Sequence, residues 1–531
     1  MTESELPVVE MRPYRWGATD VELPEAAGAA LGALGVAAPS RPPVDPAAAS
    51  LPDTALPEGA RAALEAVVGS PHVSTDAADR VRHTRGWSTP DLLKLRAGDA
   101  SDAPDAVVRP GSHDEVVAVL ETCAEHRIAV VPYAGGTSVV GGLVAARDGL
   151  AGVIAVDLAR LDSVTDLDEI SRTVTLGTGL RGTAAEARLN EAGYTLGHFP
   201  QSYEGAGIGG YAAARSAGQS SAGYGRFDEM VVGLVLATPS GTLRLGTAPM
   251  SAAGPDLRQL VLGSEGAFGV ITSVTVRIRP RPAVREFEGW RFESFEQGAT
   301  ALRRLVQHGP VPTVLRLSDE AETAINLADP NVLGSGPGGC LAVIGYEGEA
   351  DDVAARRAAC SAVLAEAGGA ALGAEPGEAW RTGRYRAPYL RDPLLDAGAF
   401  VETLETATFW SNLVALRTAV TSAVTDALTA QGTPPVVLCH ISHVYETGAS
   451  LYFTVLCAQT ADPLAQWAQA KDAANAAIRA AGATITHHHG VGTDHRAAYQ
   501  QEIGPLALAM LRAVKAAVDP SGILNPGVLV G

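Results

Sequence analysis

Apolar and polar positions along this chain change rhythm twice. Between residues 106 and 279, short apolar runs alternate with amphipathic stretches. Val107-Val108, the run 128–131 and the run 152–158 predict buried strands. Between the first two, Ser112-His113-Asp114-Glu115 has capping-box spacing and opens a helix to about His126. Farther on, the pattern predicts two strands around a turn over 161–176, a helix over 182–192 and a hairpin over 227–245 that turns at Pro239-Ser240-Gly241. A helix over 255–262 and a strand over 270–279 follow. After Pro280-Arg281-Pro282, strand patterns at 286–292, 313–317, 341–347, 436–443 and 450–456 alternate with helical patterns at 295–307, 350–367, 412–431 and 462–481. That order predicts an α+β unit, an antiparallel sheet faced by helices. A last helix over 499–517 leads into Asp519-Pro520-Ser521-Gly522-Ile523-Leu524-Asn525-Pro526-Gly527. Ahead of all this stand an aromatic-basic patch, Arg12-Pro13-Tyr14-Arg15-Trp16-Gly17, and a linker rich in Pro and Ala over 37–57. The chain divides into an N-terminal arm and helical region over 1–95, then 96–282, 283–485 and 486–531.

The loops say more than the elements. The strand at 128–131 runs into Pro132-Tyr133-Ala134-Gly135-Gly136-Thr137-Ser138, followed by Gly141-Gly142. Paired glycines after a buried strand allow a tight turn whose N–H groups converge on one anion, with Thr137 and Ser138 adding hydroxyls. An ordinary surface turn is the alternative. The spacing is neither a Walker loop nor G-x-G-x-x-G. Residues 200–225 then contain seven glycines. So many would ruin a core element, but they suit a backbone lying against a flat ligand.

A formal charge of −19 over 531 residues argues against nucleic acid as partner. Five scattered cysteines without C-x-x-C fit a reducing compartment and no structural zinc. There is no long apolar run for a transmembrane helix and no secretory signal pattern, so a cytoplasmic protein is expected.

Four features occur in one order: the 132–138 loop, the glycine-rich 200–225 run, Gly263-Ser264-Glu265-Gly266-Ala267-Phe268-Gly269-Val270-Ile271-Thr272, and the 519–527 segment. The set resembles the FAD-binding fold of the vanillyl-alcohol oxidase and p-cresol methylhydroxylase superfamily. A narrower resemblance, from about residue 75 onward, is to alkyldihydroxyacetone-phosphate synthases. It rests on His487-His488-His489-Gly490-Val491-Gly492, Tyr389-Leu390-Arg391-Asp392, Cys439 through Tyr452-Phe453, Asp79-Arg80-Val81 and Gly254-Pro255-Asp256. This implies a two-part FAD-binding domain over 96–282, an α+β cap over 283–485, and a segment 486–531 that returns to the FAD domain. It also implies exchange of the acyl chain of an acyl-dihydroxyacetone phosphate for a fatty alcohol, with no net redox change. The alternative is an FAD-dependent oxidase or dehydrogenase of a 2-hydroxy acid or other alcohol. A homodimer and a lipid substrate are implied too, with peripheral membrane contact through Tyr14 and Trp16 as a further expectation.

On that resemblance, non-covalent FAD would place its pyrophosphate on Pro132, Gly135, Gly136, Thr137 and Ser138. Its ring and ribityl chain would lie along Pro200, Ser202, Gly209 and Gly210, and its adenine near Glu265, Gly269, Val270 and Ile271. The expected catalytic residues are Tyr452, Arg391, His487, His488 and His489. On a strand, three adjacent histidines would point alternately to opposite faces, so they cannot share one ion well, and no metal is expected. One imidazole would carry a proton; an exposed polar strand end is the plain alternative. Arg391 either pairs with Asp392 or holds negative charge near the flavin. Arg316, alone in an apolar strand, needs a buried anion: a substrate phosphate or a structural carboxylate. Tyr445 is a second substrate-side candidate. Two departures stand out. The ligand set of related 2-hydroxy-acid dehydrogenases is lost, with Tyr452 in place of one histidine and His488 in place of the glutamate. After Gly492, where the synthases have a basic residue, this chain has Thr493-Asp494, with His495 or Arg496 as possible substitutes.

Overall fold

A computed structural model describes residues 6–36, 42–325 and 338–530; the start of the expected linker, 37–41, lies outside them. A small sheet lies under the first glycine loop. Its strands Ala106–Val108, Gly152–Asp157 and Ile128–Tyr133 are parallel, with Val73–Ser74 antiparallel at one edge. Helix His113–His126 begins where expected, because Ser112 Oγ accepts the Glu115 N–H at 3.1 Å. It ends at Arg127, whose φ is 55°. Its apolar face, Val116, Val119, Leu120 and Cys123, packs on the sheet with helix Glu58–Val68 alongside. The other edge of the sheet is taken by the far end of the chain. Val130 donates its N–H to Ile523 at 2.8 Å, and Asn525 donates to Val130 at 2.8 Å.

Next comes a five-stranded antiparallel sheet, ordered Val164–Asp168, Thr173–Gly177, Val270–Arg277, Val231–Thr238, Gly241–Leu245. Two short elements differ from expectation. The hairpin is preceded by a turn of helix, Phe227–Met230, and the helix expected over 255–262 is only Arg258–Val261. The second is cut short at its C-terminal end by Gly263, whose φ is +83°.

The third sheet has seven antiparallel strands, ordered Ala370–Gly373, Val284–Phe292, Cys340–Gly348, Val314–Ser318, Val436–Ile441, Gly448–Ala458, Ala399–Phe409. Helices Phe295–His308, Ala350–Glu366, Leu413–Ala430 and Pro463–Ala480 share one apolar core with it. Leu413, Leu416, Val420, Val424 and Leu428 are fully inside that core, so the stripe on this helix is packing, not a lipid tunnel. Side chains in register across strands share a face. His440, Tyr452 and Glu405 lie opposite one another, so they stand on one face together. Leu317, Ile441 and Phe453 belong to the helix-covered core.

Candidate active site

The loop after Tyr133 leaves a run of backbone donors open. Among the described residues, no protein acceptor takes any backbone N–H from Ala134 through Gly141. Eight successive amide donors without acceptors, in a loop that is partly to fully buried, fit a pyrophosphate. Gly136 has φ +70°, and a Cβ there would fall on Tyr133 Oη; one at Gly135 would fall on the Gly205 carbonyl. Ser138 Oγ is already committed, accepting the Gly142 N–H at 3.1 Å. Thr137 Oγ is not.

The other expected cofactor positions sort by geometry. Pro200 and Ser202 form a turn whose carbonyls accept from Tyr203 at 3.0 Å and Gly205 at 3.0 Å. Gly209 is required by its neighbour, since a Cβ would meet Thr178 Cβ at 2.9 Å; Gly210 faces open space. Pro132 lies against Gly266, so that a Cβ on the glycine would sit 2.8 Å from the proline ring. Val270 and Ile271 turn their side chains into two cores, leaving only backbone for a ligand. Gly269, φ +151°, is pressed on Ala237 O. The Glu265 carboxylate is committed to the protein itself. Its carboxylate accepts the Val491 N–H at 2.7 Å and the Gly492 N–H at 2.9 Å. It props the turn that follows the histidines, and burial pushes its pKa up to about 7.

The histidines are not on a strand. Residues 486–490 form a bent loop wrapped around Glu405. This fully buried carboxylate accepts the N–H groups of His487 at 2.6 Å, His488 at 3.1 Å and His489 at 3.0 Å, plus Thr486 Oγ1 at 2.6 Å. Burial opposes its ionisation, but the Thr486 hydroxyl and the three backbone N–H groups donate to it, and the carboxyl is held well below its usual range. The rings then splay around one chamber. His487 Nε2 is 2.6 Å from Tyr445 Oη, and His487 Nδ1 is 3.0 Å from His488 Nδ1. His488 stacks near Tyr452 with ring centroids 6.1 Å apart, and His489 meets the same phenol edge-on at 5.5 Å. His443 closes the group; its Nδ1 is held by Ser221 Oγ at 2.7 Å. One nitrogen each from His443, His487 and His488 lie within 4.8 Å of one another. His489 is outside this trio, and the fully exposed strand end considered from sequence is ruled out by burial.

Burial keeps these imidazoles neutral: His489 is pushed down to about 3, His487 well below the usual range, and His488 lower than usual. Burial also pushes the Tyr452 phenol up to about 12. Neutral imidazoles accept a proton; a phenol so raised donates a hydrogen bond and does not act as base.

For Arg316 the structure supplies the second of the two expected anions. Its guanidinium pairs with buried Glu322 at 2.5 Å and donates to Ser442 Oγ at 3.1 Å. His440 Nδ1 lies 2.9 Å from Glu322 and stacks on Tyr452 at 4.9 Å. The structural carboxylate is the partner, and Arg316 supports Tyr452 from behind. Arg391 lies on helix Ala387–Asp396, where Nη1 donates to the Trp87 carbonyl at 2.6 Å and Nε is buried without a partner. Its neighbour Asp392 accepts the Trp16 N–H at 2.6 Å. Trp16 is 5% exposed, which removes it as a membrane contact. Neither substitute for the missing basic residue is free. His495 Nδ1 is on the Gly490 carbonyl at 3.0 Å, and Arg496 donates to Gly527 at 2.7 Å. Asp494 instead feels the positive charges of Lys471 and Lys94. Sequence reasoning missed Glu405, His443 and Trp87. None of the three left a signal: Glu405 stands in strand Ala399–Phe409 together with Glu402 and three threonines, and nothing local sets it apart.

Two family profiles match: "FAD binding domain" over residues 104–246 and "FAD linked oxidases, C-terminal domain" over 281–529. An alkyldihydroxyacetonephosphate synthase from Trypanosoma brucei brucei is 31% identical over 491 residues, covering 88% of this chain and 80% of the relative. A solved alkyldihydroxyacetonephosphate synthase superposes with TM-score 0.83 at 26% identity, covering 97% of this chain and 99% of the other. p-Cresol methylhydroxylase shares the fold, with TM-score 0.69 at 17% identity over 90% and 98% of the chains. No helix among the described residues is long and apolar enough to cross a membrane.

Proposed function

The chain belongs to the alkyldihydroxyacetonephosphate synthase family, and from this we propose that it is an FAD-dependent transferase forming an ether bond. Its substrates are an acyl-dihydroxyacetone phosphate and a fatty alcohol; a carboxylate leaves and an alkoxide takes its place, with no net redox change. The observation that carries the reading is the buried cluster in which neutral imidazoles and Tyr452 stand together on the cap with Arg391 near the phenol, beside an amide-lined loop fit for FAD.

FAD would be held by the amides of 134–141 and by the open backbone at Gly210. When bound it supplies an electron sink for the carbon that exchanges its substituent. The protein's own groups divide the rest. His488 or His489, neutral and facing Tyr452, accepts the proton next to the substrate carbonyl. Tyr452 donates a hydrogen bond to the developing oxygen charge, and Arg391 offers a fixed cation. Glu405 acts through the backbone, setting the direction of all three imidazoles.

The test is to incubate the yellow protein with acyl-dihydroxyacetone phosphate and a long-chain alcohol. Release of fatty acid together with ether product, and no oxygen uptake, is expected. Steady peroxide formation, or reduction of the flavin by a 2-hydroxy acid, would overturn the reading in favour of an oxidoreductase.

A further inference from the structure

The aromatic-basic patch near the start of the chain has no place in the chemistry above, yet Met11 and Trp16 within it are buried. Residues 9–17 run between the two halves of the molecule. On the cofactor side, Val9 donates its N–H to Glu204 at 2.9 Å, and Met11 is packed so closely on Gly205 that a Cβ there would strike its methyl. Arg12 Nε donates to Gly17 O at 2.9 Å and Tyr14 takes φ 55°, which folds the segment into a tight hook. On the cap side, Arg15 pairs with Asp396 at 3.0 Å, Trp16 N–H donates to Asp392 at 2.6 Å, and Gly17 lies against the Tyr389 ring. Asp396, Asp392 and Tyr389 all lie on the helix that carries Arg391.

The hook also touches what holds Arg391. The Trp16 indole packs edge-on against Trp87, centroids 5.7 Å apart. Trp87 is clamped at both backbone ends. Its N–H donates to Ser138 O at 2.5 Å, in the anion-binding loop, and its carbonyl accepts Arg391 Nη1 at 2.6 Å. A Cβ on Gly86 would collide with the same Ser138 carbonyl, so this approach leaves no slack. The path therefore runs from loop 134–138 through Trp87 to Arg391, with Trp16 bracing its middle and Asp392 its end. Arg391 Nε is left buried and unpaired, a donor reserved for something the protein alone does not supply.

We propose that Arg15 and Trp16 are positioning residues that fix the Arg391 guanidinium relative to the flavin. This rests on the proposed FAD-dependent reaction, in which Arg391 offers its cation to the reacting centre. A cation held at constant distance from a flavin also raises its reduction potential, whether or not any substrate is present, and that separates the two ideas.

The experiment uses full-length, FAD-loaded protein with Arg15→Ala/Trp16→Ala and Trp16→Phe. The double variant is expected to keep its FAD while kcat falls about 10-fold or more. KM for acyl-dihydroxyacetone phosphate should stay within about 3-fold, and the flavin potential should become more negative. Trp16→Phe keeps the aromatic brace and should restore both readings. If wild type shows no ether synthesis but the potential still moves and is rescued, the reaction is wrong and the positioning stands. An unchanged potential overturns the positioning, whatever kcat does. So does a loss of FAD, or of activity, that Trp16→Phe does not repair. Should the double variant fail to fold, Trp16→Ala alone carries the same comparison.

Discussion

The two faces of the proposed site are built from opposite materials. The cofactor face is backbone: eight amides without acceptors, and glycines whose missing side chains let loops touch. The cap face is side chain: two buried carboxylates, five imidazoles, two phenols and two guanidiniums, nearly all already bonded to one another. A surface of amides binds whatever anion fits its curvature and needs no tuning. A surface of ionisable groups must first satisfy itself, and its chemistry lies in the few valences left over, such as Arg391 Nε.

The most damaging way to break this contrast is Glu405→Ala. It strands three buried or partly buried N–H groups and a hydroxyl, at up to about 1–3 kcal/mol each. A loss of at least about 4 kcal/mol in denaturant unfolding is expected, together with complete loss of turnover, while the cofactor face should still retain FAD at saturating concentration. Equal damage to both faces would show that they are one cooperative unit.

Acid sharpens the contrast. On the cofactor side, buried Glu186 is raised from 4.5 to about 7 by burial, despite hydrogen bonds from Thr195 and Gly197. Its stabilisation is complete below pH 4.5 and is lost as pH climbs through 7, a decline on the order of 3 kcal/mol. Glu186→Gln should flatten that slope. On the cap side, burial of Glu322 is outweighed by His440 and Arg316, which hold it down at about 2. Its contribution is complete above 4.5 and disappears as pH falls through 2. Hydrogen exchange read separately in the two regions should therefore move in opposite directions, with the cap loosening first below pH 4.

Smaller again is Gly136→Ala. The positive φ costs about 1–2 kcal/mol, and the Tyr133 ring must also shift. Purified protein should carry less flavin, read as the ratio of 450 to 280 nm absorbance, with the cap unaffected. The smallest effect is expected from Tyr445→Phe. Losing the 2.6 Å contact with His487 should lower turnover about 10-fold, roughly 1.4 kcal/mol, without changing the flavin content.

This contrast also explains what could be read from the residues alone. Glycine spacing reports backbone geometry directly, so loop 132–138 and the return of segment 519–527 were visible, as was the antiparallel α+β cap. The partners of a side chain are set by strands far apart in the chain. Nothing around Arg316 announces that Glu322 neutralises it, and nothing near His487 points to Glu405, some eighty residues earlier. Nor does anything near Glu265 announce that its carboxylate serves Val491 and Gly492. The histidines were recognisable as chemistry, but a strand was assumed where the peptide bends around an anion.

Asn525 reaches back to donate to the carbonyls of Gly142 and Glu265, beside the edge it shares with Val130. A nascent polypeptide that has cleared the ribosome only as far as the cap thus owns the glycine loop but not the latch that shapes it. Vitamin capture should be a late event of biosynthesis, and chains stalled or clipped before residue 523 should emerge as pale, protease-sensitive apoprotein however well their earlier portions have folded.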